Sequence, residues 1–305
     1  MKYFIITVDT EGDNLWNYKL GDEVFTKNAD YIPRFQRLCE KYGFKPVYLT
    51  NFEMLNCERF VDDARDWLAV GNCEIGIHLH AWNNPPHYSI KKLFTGNPYL
   101  IEYPEYIMRE KFSVVYSMIK EKFGIIPISH RAGRWAMDER YFNILRDFGV
   151  KVDCSHTPGI NWSKATGSTR GGSNYIKANP LPSFINGVME VPPTIAKFNI
   201  IHKGGWKHRI KAFVLGENVW LRPATSSLQD MIKLLNKKYG DNDTDYVEFM
   251  IHSSELMPGG SPYFKTCEDV EYEYEVMEKL FEHASSLGYV GCTLAEYYNK
   301  HNNLK

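Results

Sequence analysis

The sequence predicts an α/β protein, a (β/α) barrel of about eight strands, and three observations carry that prediction. First, a helical pattern, then a glycine, then a short β-branched or aromatic run recurs as "LCEKYGFKPVYLT", "WLAVGNCEIGIHLH", "IKEKFGIIPISHR", "LRDFGVKVDCS" and "ASSLGYVGCTL". Gly43, Gly71, Gly124, Gly149 and Gly288 stand where a helix would end, a place for the left-handed conformation that glycine adopts freely. Second, the two long connections, residues 81–103 and 155–187, both follow strands, the side on which α/β barrels carry their sites. Third, 305 residues at 44% apolar content suit one large barrel. No shift in composition marks a boundary, so residues 1–305 read as a single domain.

The elements follow in order. "KYFIITVD" is the first strand, and 28–42 has helical periodicity up to Gly43. The strand in "KPVYLT" precedes a helix at 58–69, and "CEIGIHLH" follows Gly71. After the first long connection come a helix at 104–123, the strand in "IIPISHR", a helix at 138–148 and the strand in "VKVDCS". "GVMEVPPT" closes the second long connection. A helix at 225–239, the strand "DYVEFMIHSS", a helix at 268–287 and the run "YVGCTL" complete the chain.

Composition narrows the function. A net charge of −1 with scattered basic residues lacks the electrostatic footprint of a nucleic-acid binder. The six cysteines are far apart without a CxxC pair, which argues against a disulfide framework and a thiolate zinc site; they read as buried free thiols. No run approaches the roughly 18 apolar residues of a membrane span, and "MKYFIITVDTEGD" lacks a signal-peptide pattern. The expectation is a cytoplasmic protein without an integral membrane segment; the sequence leaves the oligomeric state open.

Ionisable residues gather at the C-terminal ends of the strands: Asp9 and Glu11, His78 and His80, Arg131, Asp153, Glu190 and His252. Side chains at i and i+2 of a strand point the same way, so His78 and His80 can converge on one ion. Two imidazoles and a carboxylate make a three-ligand site with an open position for an acidified water. Against this stands the packed core histidine, the commoner reading for one histidine alone. Asp9 and His252 suit a general base and a general acid, or are strand-end residues bonded to loops. Asp153 could orient His252 and hold it charged. Arg131 could fix Asp9, or form a plain structural ion pair.

Five segments in this order resemble the polysaccharide deacetylase family, the NodB-homology domains of carbohydrate esterase family four, in its cell-surface polysaccharide branch. They are "FIITVDTEGD", "EIGIHLHAW", "SHRAGRWA", "VDCSHTPG" and "FMIHSSEL", spread over residues 3–295. The resemblance implies an irregular, NodB-like (β/α) barrel and a metal-dependent hydrolase that removes an N-acetyl group from a sugar or polysaccharide precursor. It implies a divalent metal, zinc foremost, on Glu11, His78 and His80, with Asp9 as base and His252 as acid. Two departures stand out. Thr10 occupies the place of a second aspartate, so Glu11 must reach the metal. By the family's histidine spacing the second ligand falls on Trp82, which leaves His80 as substitute and His87 as rival.

Trp82, Trp135 and Trp162 follow strand ends and suit the apolar face of a sugar, although aromatics commonly just pack. Lys203, Lys207, His208, Arg209 and Lys211 surround Trp206, either as a solvated face or as a pocket for an anionic saccharide. "STRGGSN" lacks the strand–turn–helix context of a pyrophosphate loop. Two other readings stay open: hydrolysis of a non-sugar amide, and a non-catalytic carbohydrate-binding relative with a degenerate metal site.

Overall fold

The computed structural model describes residues 1–199 and 216–302. The basic segment around Trp206, with Lys203, Lys207, His208, Arg209 and Lys211, lies outside the described residues.

The strands are β1 (Lys2–Thr10), β2 (Pro46–Thr50), β3 (Glu74–Leu79), β4 (Ser129–Ala132), β5 (Val152–Asp153), β6 (Ser183–Ile185), β7 (Val188–Glu190), β8 (Ile195–Phe198), β9 (Glu217–Trp220), β10 (Tyr246–His252) and β11 (Tyr289–Gly291). The helices are α1 (Ile32–Lys41), α2 (Phe52–Leu55), α3 (Glu58–Ala69), α4 (Glu105–Phe123), α5 (Glu139–Asp147), α6 (Leu228–Gly240), α7 (Cys267–Leu287) and α8 (Leu294–His301). A curled sheet runs β10-β1-β2-β3-β4-β5-β7-β6, with β11 also paired to β1. Its pairs are parallel except β6 with β7. The structure is therefore the expected irregular (β/α) barrel of NodB type.

Side-chain parity along the strands positions everything that follows. Phe4, Ile6 and Val8, Ile75, Ile77 and Leu79, and Val247, Phe249 and Ile251 pack outward with Phe35, Phe60, Phe112 and Phe281 of the helices. Each such buried side chain contributes roughly 1.5–3 kcal/mol. The alternate residues face inward, where Ile5, Val47, Leu49, Val152, Met189 and Tyr246 form a second apolar cluster. Continuing those inward rows toward the strand ends brings Thr7 and Asp9, His78 and His80, Arg131, and Glu248 and His252 into one space. Gly76 belongs to the same row, and a Cβ there would stand 2.3 Å from Ser129 Oγ and 2.8 Å from Leu49 Cδ2. The close approach of β2, β3 and β4 requires its absence.

Several boundaries differ from the sequence expectation. Residues 27–31 form a tight 3-10 turn before α1, because Pro33 sets the start of the α-helix proper. The second long connection carries β6, whose hairpin with β7 turns at Asn186 and Gly187, both left-handed. Helix α8 is short, and its Thr293–Glu296 capping box is the signal the sequence reading passed over. Cys267 is exposed and Cys57 half-buried, unlike the four buried thiols, because both sit at helix starts. Among the described residues no helix is long and apolar enough to cross a membrane.

Candidate active site

Glu11, His78 and His80 meet at the mouth of the barrel, with one potential ligand atom from each lying within 4.8 Å of the others. His80 Nε2 is 2.8 Å from Glu11 Oε2, His78 Nε2 is 3.5 Å from the same oxygen, and the two Nε2 atoms are 3.1 Å apart. All three residues are buried. The tautomer of His78 follows from its other nitrogen: Nδ1 lies 2.8 Å from the Arg131 carbonyl oxygen, which can only accept. The neutral ring therefore carries its proton on Nδ1 and turns the Nε2 lone pair to the cluster, as a metal ligand must. Burial pushes the His78 pKa down, but Asp9 and Glu11 outweigh it and hold it raised, whereas burial prevails at His80 and lowers it. Glu11 is held below the usual carboxylate range by His80, His78 and His252 against the effect of burial. An anionic carboxylate and two imidazole nitrogens fit a divalent ion in kind and number. His87, the rival ligand, is exposed and lines a neighbouring hollow with Tyr88 and Lys111.

Asp9 sits beside the cluster. Burial would raise its carboxyl, but Arg131, His78 and His252 together hold it lowered, and therefore ionised. Arg131 is wholly buried: Nη1 donates to Asp9 Oδ1 at 2.7 Å, Nη2 to Thr7 Oγ1 at 2.8 Å and to Glu248, and Nε to the Cys154 carbonyl at 3.2 Å. With Oδ1 so engaged, Asp9 Oδ2 faces His252 Nε2 at 3.7 Å.

The partner of His252 departs from expectation. Asp153 bonds His130 Nδ1 at 2.6 Å and Ser155 Oγ at 2.8 Å on the outer face of the sheet, and does not touch His252. Parity is the cause: Val152 points inward, so Asp153 points toward the helices, beside Glu190, its register partner. Arg222 and Glu255 orient His252 instead. Arg222 Nη2 donates to His252 Nδ1 at 3.1 Å and to Glu255 Oε1 at 2.7 Å. The Glu255 N–H also donates to the His252 side chain, and Glu255 Oε2 accepts the His252 N–H at 3.0 Å. Two donors at Nδ1 leave the neutral ring's proton on Nε2, facing the pocket.

That pocket has a volume of about 410 Å³. Trp82, Trp135 and Trp162 all line it, joined by Trp16, Tyr99 and Tyr263. Trp82 packs on His80 with ring centroids 4.2 Å apart, and its indole N–H is buried without a partner among the described residues. The position that the family spacing assigns to a ligand thus holds an aromatic cover over the imidazole. Trp135 lies over Arg131 at 4.9 Å, and Trp162 Nε1 donates to Thr157 Oγ1 at 2.8 Å. The sequence reading missed Trp16, Arg134, Arg222 and Glu255. Glu255 was in reach, three residues after His252 and so able to cap it.

Neither a protein-family model nor a curated protein sequence matches the chain. Solved structures do. A candidate polysaccharide deacetylase from Mycobacterium smegmatis superposes with a TM-score of 0.56 at 13% identity, over 99% of this chain and 91% of that one. The chain has the polysaccharide deacetylase fold. A 4-α-glucanotransferase from Thermococcus litoralis matches with a TM-score of 0.59 at 12% identity, over 98% of this chain but 40% of that longer one. The deacetylase fold is thus a scaffold on which more than one carbohydrate chemistry is built, and the side chains at the barrel mouth must decide between them.

Proposed function

We propose that this protein is a metal-dependent deacetylase that hydrolyses an N-acetyl group on a sugar or polysaccharide precursor. The observation that carries the reading is the convergence of Glu11, His78 and His80 beside an Arg131-fixed Asp9 and an Nε2-presenting His252. Glu11, His78 and His80 would hold a divalent ion, zinc foremost, which when bound would supply an acidified water and a Lewis acid for the acyl oxygen. Asp9, ionised and anchored through Oδ1, takes a proton from the attacking water at Oδ2. The departing nitrogen must gain a proton, and His252 supplies it from Nε2 as the imidazolium, with its Nδ1 proton toward Glu255 Oε2 at 3.6 Å; the proton that Asp9 took from the water then returns to Nε2, 3.7 Å from Asp9 Oδ2. Trp82, Trp135 and Trp162 supply flat apolar faces for a sugar ring, which favours a carbohydrate over an unrelated amide.

Glycosyl transfer of the retaining kind fits less well. It needs one of two carboxyl groups held protonated, and Asp9 and Glu11 are both held ionised. The test is direct. Purified protein should retain about one divalent ion per chain and release acetate from an N-acetylated oligosaccharide, and chelation should abolish that release. Acetate release that survives complete metal removal would sink the reading.

A further inference from the structure

Three guanidinium groups stand around the pocket, and they differ in what neutralises them. Arg131 is enclosed between Asp9 and Glu248. Arg222 is held by Glu255 at 2.7 Å. Arg134 has no carboxylate partner among the described residues. Its Nη1 donates to the Asn97 carbonyl at 2.8 Å and its Nη2 to the Thr166 carbonyl at 2.9 Å, and the group lies 4.2 Å from the centre of the Tyr99 ring. Carbonyl oxygens orient a guanidinium without cancelling its charge. Glu102, whose charge reaches Arg134, has its oxygens committed to Tyr99 N at 2.7 Å, Ser168 N at 3.1 Å, and the Thr169 N–H and hydroxyl.

The backbone holds this cation in an unusual place. Arg134 has φ 54° and Trp135 has φ 61°, two consecutive left-handed residues that are not glycine. Each terminal nitrogen of Arg134 has made one of its two bonds and Nε none, so unspent donors remain on a planar fork lining the pocket.

We propose, resting on the deacetylase reading, that Arg134 determines specificity by binding an oxyanion of the substrate. The substrate class is then an acidic N-acylated saccharide, with a carboxylate or a phosphate beside the acylated position. The fork matches two oxygens of such a group, while Trp82 and Trp162 line the same pocket, where the ring that carries it would sit.

The test uses the tryptophan fluorescence of the pocket, titrated with glucuronate, glucose 1-phosphate and glucose at constant ionic strength. The wild-type protein should bind at least one anion about tenfold or more tightly than glucose, and the tighter anion identifies the source of the oxyanion. R134M should lose about tenfold to a hundredfold in anion affinity and less than that in glucose affinity, with R134K between wild type and R134M. The same Arg134 dependence should persist after chelation, which separates it from anions bound at a metal. Equal or undetectable binding of all three probes by wild type overturns the proposal, as does undiminished anion binding by R134M. The wild-type comparison decides even if the variant fails to fold. Acetate release from neutral and acidic N-acetyl sugars at equal kcat/KM would refute this proposal alone. No acetate release from either, with anion preference intact, would refute the deacetylase reading alone.

Discussion

Arg131 and Asp9 are joined across the barrel, from β4 to β1, by a bond of 2.7 Å between two buried groups. The same guanidinium also satisfies Glu248 and Thr7. This one side chain therefore aims the proposed base and neutralises two buried carboxylates.

Arg131→Met should accordingly destabilise the protein by about 3–5 kcal/mol, because it removes the one guanidinium that the buried Asp9 and Glu248 share. Urea denaturation measures this. A loss below about 1 kcal/mol would show that the network relaxes onto water and that the arginine does not hold the barrel mouth together.

Replacing either His78 or His80 with alanine should remove most bound metal, while His87→Ala should leave the metal content unchanged. Metal affinity should also rise with pH. The pKa of His78 is raised in the metal-free chain, so below it a proton must leave before the ring can act as a ligand. Calorimetry in buffers of different ionisation enthalpy should register a released proton near neutral pH. Metal loss with His87→Ala would reassign the second imidazole.

Asp153 and Glu255 separate the sequence expectation from the structure. Asp153→Asn should leave kcat near that of the wild type and lower stability by about 1–3 kcal/mol, since it weakens the buried contacts to His130 and Ser155 and none to His252. Glu255→Gln should lower kcat at least about tenfold with KM little changed and shift the pH profile, because Glu255 acts through Arg222 and His252. The reverse pattern would restore Asp153 to the site.

How far the site was legible depended on whether each residue's position followed from strand parity. The barrel and the convergence of His78 with His80 could be read from glycine-ended helices and from an i, i+2 spacing. Parity also held the clue to Asp153, since the neighbouring Val152 belongs with the inward apolar row; reading only the strand end concealed it. Arg134 and Arg222 were not legible. Their roles depend on loop conformations, a left-handed pair in one case and the short strand β9 in the other, which no periodicity announces.

Glu53 supplies a pH test of stability that is independent of turnover. Its Oε1 accepts the Gly12 N–H at 2.7 Å and its Oε2 the Asn83 amide at 2.9 Å, clasping the loop after Glu11 to the loop after His80. Burial pushes its pKa up to about 7, from an ordinary 4.5. The Oδ1 of Asn83 has no partner among the described residues, so an amide turned over would accept the Glu53 proton. Between about pH 4.5 and 7 the folded state then binds more protons than the unfolded chain, and stability falls as pH rises through that window. The contribution is about 3 kcal/mol at most, from about 1.4 kcal/mol per pKa unit. Glu53→Gln should flatten this slope while keeping an acceptor for Gly12 and a side chain of equal size. Unfolding measured by urea at several pH values decides it: an unchanged slope in the variant would mean that Glu53 is ionised throughout and that the clasp is held by its charge.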